Sequence, residues 1–135
     1  MAGLGATAQV SLVNPVPQEV TAQTALFEAP TQWQINADKK HLTGYIYDAL
    51  MTASPEVVKK ATFKVTLGVR GEGKVSKYRK NIPAKSEGYF MKVTEKEVVI
   101  AGNDEKGLFY GVQTLLGMMQ QGKLEACTIT DWPDV

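Results

Sequence analysis

Four carboxylates follow one another after Glu87: Glu95, Glu97, Asp104 and Glu105. A glycosidase that works with two acids must hold them across a cleft with the sugar between them. Here Glu95 and Glu97 fall at a predicted turn and Asp104 and Glu105 at a predicted helix start, so solvent exposure accounts for them and no catalytic residue is assigned. His41 is the single histidine, and any Ser/His/Asp or Cys/His arrangement would have to use it. It stands beside Lys39 and Lys40 in the first turns of a predicted helix and reads as a solvated surface imidazole. Cys127 is the single thiol. It can form no internal disulfide, and without a neighbouring His or Cys it makes no structural zinc site. Its reading is a small buried apolar residue on a strand.

Gly68-Val69-Arg70-Gly71-Glu72-Gly73-Lys74 follows a predicted strand and ends in Gly-Lys, which brushes against a phosphate loop. The pattern wants Ser or Thr after the lysine, but Val75 stands there, and Glu72 would repel phosphate. A flexible surface connection is the expectation. The basic residues from Arg70 to Lys85, with Tyr78 among them, are diluted by Glu72 and Glu87. The whole chain balances 15 basic against 14 acidic residues for a formal charge of +1. No nucleic-acid partner is expected from that balance. Gly107 and Gly111 are spaced four apart on a predicted helix, which suits close backbone packing better than cofactor binding. No cofactor and no metal are expected.

The elements that must position these residues are legible from periodicity. The 135 residues, 44% hydrophobic and 21% charged, suit one compact core. They are too few for a (β/α)₈ barrel, which takes roughly 250 residues. Residues Gln9 to Gln23 read as extended pieces around Asn14-Pro15-Val16-Pro17, because each proline disfavours the α region in the residue before it. Gln32 to Asn36 alternates and puts Trp33 and Ile35 on one inward face. Asp38 is positioned to cap a helix from Lys40 to Ala53, with a second short helical piece expected at Glu56 to Lys60.

Ala61 to Val69 is a clear strand, with Phe63, Val65, Leu67 and Val69 on one side. Arg70 to Lys85 reads as the loosest region, with a short helix around Val75 to Lys80. Gly88 to Thr94 and Glu97 to Ala101 form a hairpin about Glu95-Lys96. The longest helix starts at Asn103 or Asp104 and runs to about Gln121, stopped by Gly122. Leu108, Phe109, Val112, Leu115, Leu116 and Met119 make its apolar stripe. Ala126 to Thr130 is the last strand. The order mixes hairpins with crossovers, so the expected fold class is α+β, a mixed β-sheet with its long helices on one face.

No run approaches the roughly 18 apolar residues of a membrane span. Residues 1–10 are small-residue-rich, and Ala6-Thr7-Ala8 matches the pattern before a signal-peptidase cut. They are read as a leader or export-signal remnant, with residues 11–135 as the single domain.

Three stretches together resemble a known domain. They are Ser86-Glu87-Gly88-Tyr89-Phe90-Met91-Lys92-Val93, then Glu97 through Leu116 with its Ala101-Gly102-Asn103-Asp104-Glu105-Lys106-Gly107 core and Gln113-Thr114, and lastly Ile129-Thr130-Asp131-Trp132-Pro133. This set resembles the signature of the domain that precedes the catalytic barrel in β-N-acetylhexosaminidases. Lys77-Tyr78-Arg79-Lys80-Asn81-Ile82-Pro83 and Gly102-Asn103-Asp104-Glu105 resemble glycoside hydrolase family 84 in particular, the hyaluronidase and O-GlcNAcase type. Asn14-Pro15-Val16-Pro17-Gln18-Glu19 resembles the usual opening of such domains.

The resemblance implies a zincin-like mixed sheet without any metal. It also implies a parent enzyme, exported to the periplasm or outside the cell, that removes β-linked N-acetylglucosamine with retention, the substrate's own acetamido group acting as nucleophile beside two barrel aspartates. Those aspartates have no counterpart here. The chain stops two residues past Trp132-Pro133, where family members continue into the barrel, so the downstream barrel is the expected partner and the glycan is met only through the parent. Asp131, Trp132 and Pro133 are the candidate interdomain contact, with Trp132 expected to be mobile and solvent-accessible in this chain. Two other classes stay open: an autonomous carbohydrate- or protein-binding module using Trp33, Tyr45 and Tyr47, and a small standalone enzyme.

Overall fold

In the computed structural model, which describes residues 17–53, 56–119 and 122–133, seven strands form one mixed sheet. They are β1 (Glu19–Glu28), β2 (Gln32–Asn36), β3 (Glu56–Val57), β4 (Phe63–Val69), β5 (Tyr89–Val93), β6 (Glu97–Gly102) and β7 (Lys123–Asp131). Their spatial order is β1-β7-β5-β6-β4-β2-β3. β2, β4 and β6 run parallel, while β5 lies antiparallel between β6 and β7. The helices are α1 (Gly44–Thr52) and α2 (Glu105–Met118), with 3₁₀ turns at Lys39–His41 and Gly73–Tyr78.

Strand alternation makes two cores of unequal size. Val65, Leu67, Tyr89, Met91, Val98 and Ile100 point to one face and are buried against Ile46 and Leu50 of α1 and Leu108, Val112 and Leu115 of α2. The intervening residues Phe90, Val99 and Ala101 face the other way and meet Val75 and Ile82 from the segment after β4. The mixed α+β reading therefore holds, with both helices on one face. Only α2, with 14 residues, is long; α1 has nine.

The hairpin forms as expected: Val93 pairs with Val98, and the Thr94 N–H donates to the Glu97 carbonyl across Glu95-Lys96 (2.8 Å). Other boundaries differ. The helix expected from Lys40 starts only at Gly44, because the Asp38 side chain makes no capping bond and Gly44 turns to φ 84° after the 3₁₀ turn. The helical piece expected at Glu56 to Lys60 is instead β3. Its Glu56 N–H donates to the Thr31 carbonyl and the Val58 N–H to the Trp33 carbonyl, so the open edge of β2 captures it.

The apolar stripe of α2 is rotated slightly from expectation. Leu108, Val112, Leu115 and Met118 are fully buried, whereas Phe109, Leu116 and Met119 are partly buried. Gly107 and Gly111 serve close packing, as read from sequence: a Cβ on Gly107 would lie 2.0 Å from the Gly88 carbonyl oxygen, and one on Gly111 would lie 2.4 Å from Ile100 Cγ2. The leader reading for residues 1–10 lies outside the described residues.

Candidate functional site

The parallel run of β2, β4 and β6 brings their C-terminal ends to one rim of the sheet. β7 runs the same way, so Asp131 arrives there too, next to the start of β5. Most residues of the sequence signature meet on this rim. Asp104 caps α2 with one carboxylate oxygen, Oδ1, accepting from the Gly107 N–H (2.8 Å). Its other oxygen, Oδ2, accepts from the Glu87 N–H (2.8 Å). Glu87 has φ 62°, a left-handed conformation that ordinary residues rarely take. The bond from Asp104 helps hold it there, and the Asn103 N–H to Gly88 carbonyl bond (2.8 Å) closes the same turn.

One residue further, the Tyr89 hydroxyl lies 2.6 Å from the Thr114 hydroxyl of α2 and 3.4 Å from Asp131 Oδ2, to which it donates. Burial pushes the Tyr89 phenol well above its ordinary range, outweighing the lowering effect of the Thr114 bond, and the Asp131 charge adds to the rise. Asp131 Oδ1 accepts from the Gln18 N–H (2.9 Å), and the Gln18 side-chain amide donates to the Trp132 carbonyl (3.3 Å). Asp104 and Asp131 thus hold their own turns together.

Trp132 is half-buried, with the Lys85 ammonium 5.3 Å from its ring centre. This corrects the expectation of a freely accessible ring: the loop before β5 covers one side of it. Pro133 is half-buried beside it. The structure brings Asp131 into the rim network and leaves Trp132 and Pro133 at its margin.

A second cluster was missed by sequence reasoning. His41 is 5% exposed, and its Nε2 lies 2.9 Å and 3.1 Å from the two Glu72 oxygens. Glu72 also accepts from the Val69 N–H (2.8 Å) and pairs with the Lys40 ammonium at 2.8 Å. Burial alone would raise the Glu72 carboxyl, but the bonds from Lys40, Val69 and His41, with the His41 charge, hold it below the usual carboxylate range. The expected solvated imidazole is therefore a buried one, because the 3₁₀ turn points it at the strand end of β4.

The Gly68 to Lys74 stretch is likewise an anchored turn rather than a flexible connection. The Arg70 guanidinium donates to Asn103 Oδ1 (2.7 Å) and to the Ile82 carbonyl (2.9 Å), tying the segment after β4 to the rim. The sequence signal for this was slight: one acid and one arginine set among glycines directly after a strong strand. Among the described residues no group of three or more His, Cys, Asp and Glu is placed to hold a metal ion. Trp33 is fully buried with its indole N–H donating to the Pro30 carbonyl (2.7 Å), so the aromatic set Trp33, Tyr45 and Tyr47 does not form one exposed surface.

The fold matches solved structures over most of its length. CpGH84D is 16% identical with a TM-score of 0.73, the match covering 90% of this chain and 24% of that one. CpGH84B is 23% identical with a TM-score of 0.70, over 90% and 22%. The β-N-acetylhexosaminidase from Bacteroides fragilis NCTC 9343 is 19% identical with a TM-score of 0.61, over 94% and 25%. This chain thus spans about a quarter of the length of each. The model of the family described as glycosyl hydrolase family 20, domain 2, matches residues 11–132, and the chain belongs to that family.

Proposed function

We propose that this chain is the non-catalytic, N-terminal accessory domain of a secreted or periplasmic β-N-acetylglucosaminidase, and that it braces the catalytic barrel of the same polypeptide. The parent activity under this reading is retaining, substrate-assisted hydrolysis of β-linked N-acetylglucosamine, of the O-GlcNAcase or hyaluronoglucosaminidase type. The name zincin-like goes with the same reading. The observation that carries it is the fate of the signature residues. Glu87, Tyr89, Asp104, Gly107, Thr114 and Asp131 serve one another at a single rim, so their chemistry is that of a rigid platform. Trp132 and Pro133 lead out of that platform, and a half-buried indole at its margin is the kind of anchor that a neighbouring domain covers.

The test compares acrylamide quenching of Trp132 in a Trp33→Phe background in two polypeptides: this chain, and one that continues through a catalytic barrel. Quenching of Trp132 should fall clearly in the longer polypeptide. Equal protection in both would mean that Trp132 belongs to this domain's own surface and that the rim is not the docking site.

A further inference from the structure

The near-neutral formal charge conceals a strong segregation. Ten of the 15 Lys and Arg residues lie between Lys59 and Lys92, where Glu72 and Glu87 are the acids, giving that segment a net charge of +8; the rest of the chain carries −7. The fold gathers much of this excess on the sheet face opposite the helices. Lys64 and Lys92 lie on that face, in the same alternation as Thr66 and Phe90. The 3₁₀ turn packed there adds Lys74, whose ammonium reaches Asn36 Oδ1 (3.1 Å), and Lys77.

Tyr78 lies in the middle of these charges. Its ring stacks on Phe90 at 5.7 Å and 26°, and the ammonium groups of Lys77 and Lys92 stand 5.7 and 5.9 Å from its centre. Arg79 and Lys80 follow, both exposed, and Lys60 and Lys64 line a shallow hollow with Gln34 and Thr62 at the other end of the face. Among the described residues, Glu97 beside Lys64, Glu19 beside Thr130 and Glu56 beside Gln32 are acids on the same face, and the Glu72 carboxylate lies under Gly68 there, paired with Lys40 and His41. Glu19 and Glu56 lie on the two edge strands, so the basic excess is concentrated around Tyr78, where Lys77 and Lys92 stand.

We propose that this face binds an acidic polysaccharide, a sugar polymer bearing carboxylates or sulfates. An aromatic ring held flat by stacking suits the apolar face of a pyranose, and lysines suit isolated anionic groups as point charges. Half-exposed Gln34, Thr128 and Thr130 supply hydrogen bonds for hydroxyl groups. Nucleic acid fits less well. Arg70 is already engaged by Asn103 and Ile82, and a single stacking ring falls short of the successive platforms that single strands use. The inference is independent of the docking rim, since a domain that binds no glycan can still cover Trp132 in the longer polypeptide.

The test titrates fluorescein-labelled hyaluronan and heparin oligosaccharides, one carboxylated and one sulfated, into the 135-residue chain. A neutral chitin oligosaccharide, oligo(dT) and phosphatidylserine vesicles are run in parallel. Binding of at least one acidic oligosaccharide, weakening with salt, is expected, with chitin unbound. The double substitution Lys77→Glu with Lys80→Glu should weaken it about tenfold or more, the scale expected when charged contacts are lost. Lys39→Glu with Lys106→Glu makes the same charge change elsewhere and should leave binding unchanged. On the unaltered chain, amide shifts in the NMR spectrum should cluster at β5, β7 and residues 73–85. Absence of acidic-glycan binding at low salt, equal or tighter binding of oligo(dT) or vesicles, equal loss in the control pair, or shifts confined to the helices would each overturn the proposal.

Discussion

Glu72 shows how much a single buried side chain can organise. It closes the turn after β4 onto its own backbone and draws in the Lys39–His41 turn, 31 residues away in sequence from the His41 end. Charge-assisted bonds of this kind are worth about 1.5 to 3 kcal/mol. Glu72→Gln should therefore cost about 2 kcal/mol in urea unfolding at neutral pH, and Lys40→Ala much less, because that ammonium is largely exposed. The sign with pH follows from the lowered carboxyl. A group whose folded pKa is depressed stabilises fully above its unfolded value, about 4.3 for Glu. That contribution fades as pH falls from there through the folded value, so the wild-type advantage over Glu72→Gln should shrink below about pH 4. An advantage that grew in acid would remove the ion-pair account. Cys127 is the opposite case, a residue held inert. Burial, helped by the Glu125 charge, pushes its thiol up to about 12. A thiol reagent at neutral pH should label it only as fast as the domain unfolds, whereas prompt labelling of the native protein would place it at the surface.

At the scale of elements, α2 is the keystone, joined to β5, β6 and α1 by packing and to the rim by its cap. Leu115 is fully buried and Leu116 only partly so. Leu115→Ala should cost about 2 to 5 kcal/mol, and Leu116→Ala clearly less, in parallel denaturant curves. Equal costs would mean that the helix is turned differently on the sheet. The glycines test the same packed face of that helix. Ala is normally the better helix former by about 1 kcal/mol, yet Gly107→Ala would drive a Cβ against the Gly88 carbonyl. It should destabilise the domain, and a gain in melting temperature would contradict the close approach.

On the scale of the whole molecule, Asp104, Asp131 and Glu72 are engaged in caps and turns, and among the described residues most large apolar side chains fill one core and its smaller counterpart. Hydrolysis of an aryl β-N-acetylglucosaminide by this chain alone is accordingly expected to be unmeasurable. Activity that disappears on replacing one of its own acids would show a site that the packing does not suggest. The same architecture separates the two tryptophans. Trp33 packs against Phe63 at 5.9 Å inside the core, while Trp132 stands at the rim margin. Trp33 should thus be quenched far less by acrylamide than Trp132 in single-tryptophan variants of this chain.

Much of this was legible without coordinates, wherever the signal was local. Alternation over Phe63 to Val69, the two-residue turn at Glu95-Lys96, and the Asp104 cap before an apolar stripe each involve neighbours within a few residues, and each forms as read. The grouped motif around Glu87-Gly88-Tyr89, Asp104 and Asp131 pointed to the right family as well. Only the tertiary structure decided the partners of long-range groups. His41 meets Glu72, Arg70 meets Asn103, and Tyr89 meets Thr114 and Asp131 because β5 lies between β6 and β7 and the parallel strands end at one rim. The same holds for β3, a piece with helical composition that an open strand edge made into sheet, and for the half-covered Trp132. Periodicity reports which face of an element is apolar. It carries no information about which distant polar group will complete a buried hydrogen bond, since that depends on strand order and on where each crossover returns the chain.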